Sequence, residues 1–207
     1  MAGKITVDVV SDTVCPWCFI GKRRLESAIK RNPGRDFLVR WHPFQLNPNA
    51  SAEGVNKLQY YKDKFGESRT AAMLPRMTET FAQEGLAYSM DGLTGNTLDS
   101  HRLIAAAGQQ GPQVQDALVE ELFSNYFTQG KYINDPEVLK AAGQKAGVTD
   151  SDAVVKDKDR LRAEVIEELQ SFARGVTGVP YFIIDGKYAL SGAQEPAAFE
   201  EAFARLA

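Results

Sequence analysis

Strand-forming sequence is concentrated at the two ends of this chain, and that distribution restricts the folds it can adopt. Near the N terminus, the β-branched stretch from Lys4 to Val10 (KITVDVV) and the stretch from Phe37 to Trp41 are typical of strands. Near the C terminus, Tyr181 to Ile184 (YFII) and Lys187 to Ser191 (KYALS) flank Asp185-Gly186, a dipeptide typical of a two-residue hairpin turn. Because each strand must bury a face, we predict that strands from both ends join in one sheet with helices packed on it.

The long middle of the chain predicts a helical insertion. From about Ala52 to Arg174, apolar residues recur at helical spacing and strand signals almost vanish. A last helix is predicted from Pro196 to Leu206. We therefore predict an α/β protein of the order β-α-β, helical insertion, β-β-α, with residues 1–48 plus 175–207 in one domain and residues 49–174 in the other.

Composition and charge exclude several classes of protein. Hydrophobic residues make up 43% and charged residues 25% of the 207 residues, values that exclude wholesale disorder. The 24 basic and 27 acidic side chains give a net charge of −3 without a basic run, so we expect no nucleic-acid partner and no anionic membrane partner. No segment approaches the roughly 18 apolar residues of a membrane span, and no signal-peptide core is present, so we expect a soluble, cytoplasmic protein.

The two cysteines of the chain, Cys15 and Cys18, lie where the first predicted strand gives way to the first helix. If Pro16 is the first helical residue, Cys15 is at the cap and its sulfur faces unpaired N–H groups at the positive end of the helix dipole. That position stabilises a thiolate, so Cys15 is the predicted nucleophile. Cys18 would lie about 5 to 6 Å away, within reach of a disulfide, and is predicted to be the more buried and less acidic partner.

In a reducing cytoplasm, such a pair indicates redox chemistry. Cys15 would attack a substrate disulfide, and Cys18 would resolve the mixed disulfide that forms. Zinc is disfavoured because it requires four ligands and the chain adds only His42 and His101 at no recognised spacing, so we expect no metal. An inert pair of core cysteines is disfavoured because a strand-to-helix turn is expected to be exposed.

Residues beside the cysteines are candidates for substrate contact. Pro16 and Trp17 lie between them, and Trp17 either offers an apolar face to the substrate or simply packs. Gly178-Val179-Pro180 stands just before the YFII strand, where a trans proline that opens the strand is the commonest form.

CPWC at a helix N terminus, a large helical insert and GVPYFIIDGKYALSGAQ before a terminal helix together resemble the DsbA-like branch of the thioredoxin superfamily. SDTVCPWCFIGKRR and NTLDSHR (Asn96 to Arg102) are similar to its cytoplasmic FrnE-type members. The resemblance implies a thioredoxin fold interrupted by a helical domain, and thiol-disulfide oxidoreductase or protein disulfide isomerase activity. It also implies a cis proline that faces the cysteine pair, which falls on Val179-Pro180.

A cis bond there would turn the backbone N–H and C=O of Val179 outward beside Cys15, where an extended substrate could pair with them as an added strand. The resemblance also places the helix of His101 near the cleft, which makes His101 a candidate for substrate binding; otherwise, a lone helical histidine is structural. The expected partner is a disulfide-containing protein or small molecule. We expect no tightly bound cofactor, and the sequence leaves the oligomeric state open.

Two other functions stay open at this point. Kappa-class glutathione transferases and 2-hydroxychromene-2-carboxylate isomerases resemble this chain in layout, but generally carry serine where Cys15 stands and lack the second cysteine. Disulfide exchange is therefore favoured, with glutathione as a candidate co-substrate, because the Gly192-Ala193-Gln194 turn could present N–H groups to a carboxylate. The other function is a non-enzymatic, chaperone-like binding module whose helical insert supplies the surface.

Overall fold

The strands from the two ends of the chain form one four-stranded sheet, as the sequence predicts. The computed structural model describes residues 4–172 and 174–206. The strands of the sheet are β1 (Ile5–Ser11), β2 (Phe37–Pro43), β3 (Tyr181–Ile184) and β4 (Tyr188–Ser191). Their order is β2-β1-β3-β4, in which β1 pairs parallel to β2 and antiparallel to β3, and β3 pairs antiparallel to β4.

The register and the hairpin follow from the residues that occupy them. Val7 of β1 lies opposite Val39 on one side and Ile184 on the other, which places β-branched side chains at the centre of the sheet. Asp185, Gly186 and Lys187 join β3 to β4, one residue more than the predicted two-residue turn, because Ile184 pairs with Tyr188. Asp185 and Gly186 have φ values of 53° and 65°, and two successive positive φ values define the predicted primed turn type, which favours Gly and Asp.

Helices account for most of the remaining described residues. They are α1 (Pro16–Lys30), α2 (Lys57–Phe65), α3 (Glu67–Gln83), α4 (Leu98–Gln109), α5 (Pro112–Phe123), α6 (Pro136–Ala146), α7 (Ser151–Lys156), α8 (Arg162–Phe172) and α9 (Pro196–Ala204). A π-helical turn, Ser124–Thr128, continues α5. Val55–Asn56 and Leu93–Thr94 pair as a short antiparallel ribbon, which departs from the helix-only pattern expected of the insertion.

Helices α1 and α9 pack on the same side of the sheet. The Phe182 ring of β3 lies 4.8 Å from the Phe199 ring of α9, edge to face, and the same ring lies against the backbone of Gly21 in α1. This contact fixes the start of α1 relative to β3.

The helical insertion and the sheet share one apolar core. Phe19, which follows Cys18 in α1, stacks on Phe123 of α5 at 5.1 Å between centroids and lies 6.0 Å from Phe81 of α3 and 6.2 Å from Phe127. All four rings are buried. The helix that begins with the cysteine pair is therefore anchored to the insertion as well as to the sheet.

A buried ion-pair cluster reinforces this anchor. The Lys22 ammonium, 2% exposed, lies 3.0 Å from Asp116 and 3.4 Å from Glu120 of α5, and also pairs with Glu26. Burial would lower the pKa of Lys22, but the three carboxylates raise it on balance. Lys22 therefore joins α1 to α5 as a cation.

Candidate active site

The cysteine pair begins helix α1. Cys15 is the N-cap residue, with φ −91° and ψ 113°, and Pro16 is the first helical residue. The Cys18 N–H donates to the Cys15 carbonyl at 3.1 Å, and the Cys15 N–H donates to the carbonyl of Asp12 at 3.0 Å. The structure thus places CPWC as predicted, with Cys15 at the amino end of the helix, where unpaired N–H groups favour negative charge.

Both cysteines are buried thiols, so the expectation that the strand-to-helix turn is exposed is wrong. Cys15 is 4% exposed and Cys18 is 0% exposed, because the loop after β2 and the segment before β3 both close over the start of α1. Burial, and then the neighbouring Cys15 sulfur, raises the pKa of Cys18 well above the usual thiol range, against hydrogen bonds from Ser11 and Asp12. Cys18 is therefore the more buried cysteine, as predicted, and a weak acid.

The segment before β3 supplies the opposite wall. The Val179–Pro180 peptide bond is cis, as the family resemblance implies. The Cys15 thiol donates to the carbonyl oxygen of Val179, with 3.4 Å between sulfur and oxygen. The Val179 carbonyl therefore faces the predicted nucleophile directly.

Gly21 allows this segment to approach α1. A Cβ atom at position 21 would lie 3.0 Å from Pro180 Cγ and 3.0 Å from Phe182 Cζ, closer than ordinary van der Waals contact. The sequence places Gly21 on the apolar face of α1 but gives no signal of this contact. Gly21 is thus a structural determinant of the site that sequence reasoning missed.

The segment Asn96–Arg102, singled out by the family resemblance, holds the loop after β2 in place. The Asn96 side-chain amide donates to the carbonyl oxygens of Pro48 at 3.0 Å and Ala50 at 3.3 Å. The Asn96 backbone N–H donates to the carbonyl of Ser51 at 3.0 Å. One asparagine therefore binds three backbone carbonyls of the loop after β2.

Two further residues of this segment also make structural contacts. The hydroxyls of Ser100 and Thr13 hydrogen-bond at 2.8 Å, which ties α4 to the turn just before Cys15. Arg102 is fully buried and donates to the carbonyls of Val154 and Asp157 at the end of α7. Ser100 thus supports the turn before Cys15, whereas Arg102 joins α4 to α7.

His101 lies behind Asp12. The His101 Nε2 is 2.8 Å from the Phe44 carbonyl, which can only accept, so Nε2 carries a proton, and it also lies 3.3 Å from Asp12 Oδ1. Asp12 Oδ2 accepts the Leu46 N–H at 2.7 Å. His101 is 3% exposed and is not among the residues that line the cavity beside Cys15. Its side-chain contacts are with Asp12 and with the loop after β2.

A cavity of about 520 Å³ opens beside the cysteine pair. Cys15, Pro16, Trp17 and Val179 line it together, as do residues from α2, α3 and the loop after β2. The Trp17 side chain is 44% exposed, so it offers an apolar face instead of packing inside. Most of the cavity wall is apolar or aromatic, formed by Val14, Leu46, Val55, Tyr60, Tyr61, Phe65, Met73, Met77 and Tyr126.

Two regions considered from the sequence lie elsewhere. His42 hydrogen-bonds to Asp8 and Glu168 beside α8, where the carboxylates raise its pKa although burial opposes them. In the Gly192-Ala193-Gln194 turn, the Gly192 N–H donates to the Pro180 carbonyl and the Gln194 N–H donates to the Gly192 carbonyl, each at 2.9 Å. Two of the three N–H groups of this turn are therefore used internally.

In the part of the chain that the structure describes, no three His, Cys, Asp or Glu side chains are grouped so as to hold a metal ion. None of the helices in residues 4–172 and 174–206 combines the length and the apolar character needed to cross a bilayer.

Comparisons with known proteins agree with this geometry. The sequence matches the family described as DSBA-like thioredoxin domain over residues 6–204. It is 32% identical to a probable DsbA oxidoreductase from Streptomyces coelicolor, whose crystal structure superposes with a TM-score of 0.89; the match covers 98% of this chain and 89% of that one.

Two further solved structures share the fold at lower identity. The cytosolic disulfide reductase DsbM from Pseudomonas aeruginosa, solved with GSH, is 19% identical with a TM-score of 0.63, over 97% of this chain and 99% of that one. A 2-hydroxychromene-2-carboxylate isomerase is 14% identical with a TM-score of 0.65, over 97% of this chain and 95% of that one.

Proposed function

The chain belongs to the DSBA-like thioredoxin domain family and has its fold, and from this membership we propose that it is a thiol-disulfide oxidoreductase acting through Cys15 and Cys18. The observation that supports the proposal most directly is a cysteine at the N-cap of α1 with a second, fully buried cysteine in the first helical turn. Two thiols so placed can close to a disulfide and reopen.

The exchange proceeds in two steps. The Cys15 thiolate attacks one sulfur of a substrate disulfide; that S–S bond breaks, a mixed disulfide forms on Cys15, and the other substrate sulfur leaves as a thiolate. Cys18 then attacks the Cys15 sulfur, which releases the second substrate sulfur, and the proton of Cys18 is taken up by a released substrate thiolate. Two electrons pass from the cysteine pair to the substrate, and the reverse sequence oxidises a dithiol. The raised pKa of Cys18 keeps this residue protonated until the mixed disulfide brings it into use.

Four residues around the sulfur are proposed to contact the substrate. Pro16, Trp17 and Val179 line the cavity, and the buried Pro180 follows Val179 through the cis peptide bond. The Val179 carbonyl lies beside Cys15, where it can accept a hydrogen bond from an extended substrate. His101 supports this arrangement through Asp12.

A glutathione-dependent activity is the second candidate, favoured by the DsbM structure that contains GSH. For this chain, we assign glutathione the role of a thiol co-substrate that reduces the Cys15–Cys18 disulfide. Conjugation or isomerisation is the weaker form of this candidate, because cysteine occupies both positions of the pair. The cytosolic setting of DsbM supports a cytoplasmic location for this protein too.

Replacing Cys18 with serine tests the proposal. Without the resolving thiol, mixed disulfides between Cys15 and its substrates should accumulate and be visible on non-reducing gels and by mass spectrometry. The Cys15→Ser/Cys18→Ser double variant is the control and should trap nothing. A Cys18→Ser variant that traps nothing and keeps full turnover would contradict the exchange mechanism and favour a conjugating or isomerising enzyme.

The single substitution Cys15→Ser distinguishes the exchange enzyme from a chaperone-like binding module. An exchange enzyme loses its turnover with this change, whereas a chaperone-like module keeps its capacity to suppress aggregation of an unfolded client protein.

A further inference from the structure

The cavity beside Cys15 has the dimensions of a small-molecule site. Its volume of about 520 Å³ falls within the range of roughly 300 to 1,000 Å³ that pockets for drug-sized ligands occupy. Tyr60, Tyr61 and Phe65 of α2 face it together with Met73 and Met77 of α3. Aromatic rings and thioether sulfurs favour an aromatic ligand.

Two polar groups of the cavity wall, the Tyr126 hydroxyl and the Asp12 carboxylate, already have hydrogen-bond partners within the protein. The Tyr126 hydroxyl donates to Thr94 Oγ1 at 2.7 Å. Asp12, the one carboxylate among the described lining residues, is 0% exposed and accepts from Leu46 and His101. These two groups therefore need no hydrogen bond from a ligand, and the rest of the wall is mainly apolar.

Lys64 of α2 contributes a positive charge to the cavity wall. The Lys64 ammonium contacts the Tyr60 hydroxyl at 3.4 Å and lies 5.5 Å from the ring centroids of Tyr60 and Phe65. The ion pairs formed among the described residues do not include Lys64, whereas Lys62, two residues earlier in α2, pairs with Glu67 at 3.1 Å. A ligand with an anionic group would complement Lys64.

The position of the sulfur also favours a small substrate. Cys15 is 4% exposed, and its thiol donates a hydrogen bond to the Val179 carbonyl in the cavity wall. A disulfide in a folded protein is held by its own backbone and cannot easily enter such a recess. A low-molecular-weight disulfide can enter the cavity whole.

We propose that this cavity selects a low-molecular-weight aromatic disulfide that carries a carboxylate, with the ring among the side chains of α2 and α3 and the carboxylate at Lys64. The inference rests on the proposed exchange function and adds its substrate class. In one turnover, the reduced protein and one disulfide, R–S–S–R, yield the Cys15–Cys18 disulfide and two R–SH molecules. The two electrons and the two protons come from the cysteine thiols, so a single turnover needs no other reductant.

Single-turnover kinetics of the reduced protein test the selectivity. The probes are dithiobis-nitrobenzoate, which is aromatic and anionic; dithiodipyridine, which is aromatic and uncharged; and hydroxyethyl disulfide, which is aliphatic and uncharged. Dividing each variant's rate by the parent's rate for the same probe cancels the intrinsic reactivity of that probe.

Filling the cavity is the first arm. Ala50 lines the cavity and the exposed Ala52 does not, so Ala50→Phe is matched by Ala52→Phe as a control. Ala50→Phe should slow both aromatic probes by about tenfold, the effect of losing burial of part of a ring, while Ala52→Phe stays within about twofold. Ala50→Phe should slow reduction of insulin disulfides less than it slows the aromatic probes, and Ala52→Phe should change it little. Equal slowing of insulin would mean that the cavity serves polypeptides, and would overturn the inference.

Removing the cation is the second arm. Lys64→Gln should slow dithiobis-nitrobenzoate by roughly two- to fivefold more than dithiodipyridine, as expected of a solvent-accessible ion pair. Lys62→Gln removes the same charge two residues away and should affect both probes equally. If Lys64→Gln slows the two probes equally, the proposal that Lys64 binds a substrate carboxylate is contradicted.

A measurement without redox chemistry separates this inference from the proposed function. The Cys15→Ser/Cys18→Ser variant should bind anilinonaphthalene sulfonate, an aromatic anion, with a rise in fluorescence that Met73→Trp suppresses. If the parent consumes disulfides but neither Ala50→Phe nor Met73→Trp has a selective effect, the cavity inference falls and the exchange function stands. If the dye binds as expected but the parent consumes no disulfide, the exchange function falls, and the substrate class falls with it.

Discussion

The imidazole of His42 lies flat on the ring of Phe172, with centroids 3.5 Å apart and planes 12° from parallel. The same imidazole bridges two elements, since its Nε2 lies 2.9 Å from Asp8 Oδ1 on β1 and its Nδ1 lies 2.6 Å from Glu168 Oε1 on α8. Helix α8 is therefore held beside β2 in part by a side chain whose charge depends on pH.

The sign of this pH dependence follows from the two pKa shifts. Burial lowers the pKa of His42, but Asp8 and Glu168 outweigh it, so the folded-state pKa is above 6.5. The resulting stability is fully present below pH 6.5 and is lost as pH rises through the higher folded-state pKa. Although burial raises the pKa of Asp8, His42 and Arg40 lower it overall. Its contribution is present above about pH 3.9 and is lost as pH falls through the lower folded value.

Replacing His42 with glutamine should therefore destabilise the protein more at pH 5 than at pH 9. The expected loss is about 2 kcal/mol at pH 5, where the bonds are charge-assisted, and roughly half of that at pH 9. Urea unfolding at both pH values measures the difference, with Glu167→Gln, an exposed change on the same helix, as the control. Equal losses at the two pH values would contradict a charged imidazole.

Adding a methyl group at Gly21 should disturb the site. In Gly21→Ala, the new Cβ would lie 3.0 Å from Pro180 and Phe182, an overpacking that costs about 1 to 3 kcal/mol. The better helix propensity of alanine offsets about 1 kcal/mol of this cost. We expect a net loss of about 1 kcal/mol and slower exchange, because Pro180 must move away from α1. Gly34→Ala, where no atom lies within 4 Å, serves as the control, and an unchanged exchange rate in Gly21→Ala would refute the contact.

The two thiols should differ in their reaction with iodoacetamide. Cys18 is 0% exposed and has a raised pKa, whereas Cys15 lines the cavity at the amino end of α1. Peptide mapping of the reduced native protein should show carbamidomethylation of Cys15 at least tenfold faster than that of Cys18, and similar rates in guanidinium, where burial is lost. Faster modification of Cys18 than of Cys15 in the native protein would contradict the assignment of Cys15 as the nucleophile.

Removing the Asn96 side chain should loosen the loop after β2. Asn96→Ala leaves the carbonyls of Pro48 and Ala50 without their donor, at an expected cost of about 1 to 3 kcal/mol. Hydrogen exchange of residues 45–51 should speed up while the sheet stays protected. Asn134→Ala, which removes an exposed bond to Ala52, should leave that segment unchanged. Unaltered exchange over residues 45–51 in Asn96→Ala would show that the loop is held by other contacts.

Local patterns were sufficient to predict the sheet and the cap. β-branched runs at the chain ends predict β1 and β3, and a proline directly after Cys15 predicts the start of α1, because proline lacks the N–H that a first helical residue does not need. The Asp185-Gly186 turn is also predictable from local sequence, since the two residues that must adopt positive φ are adjacent.

Burial of the site was not predictable from those patterns. The contact between Cys15 and Val179 joins residues 164 positions apart, and the contact between Asp12 and Leu46 joins two separate loops. The spacing of apolar residues along the sequence does not predict contacts between such distant residues. His101 shows the same difficulty: the family resemblance indicated its neighbourhood, but only the bond to the Phe44 carbonyl shows that it supports the loop.

Phe19 directly follows Cys18, and its ring packs among aromatic side chains contributed by the insertion. Excising the insertion, or transplanting Cys-Pro-Trp-Cys onto a smaller scaffold, would strip that ring of its neighbours and leave the first turn of the helix without its anchor. Changes to the insertion that remove Phe81, Phe123 or Phe127 would therefore also disturb the helix that begins with the cysteine pair.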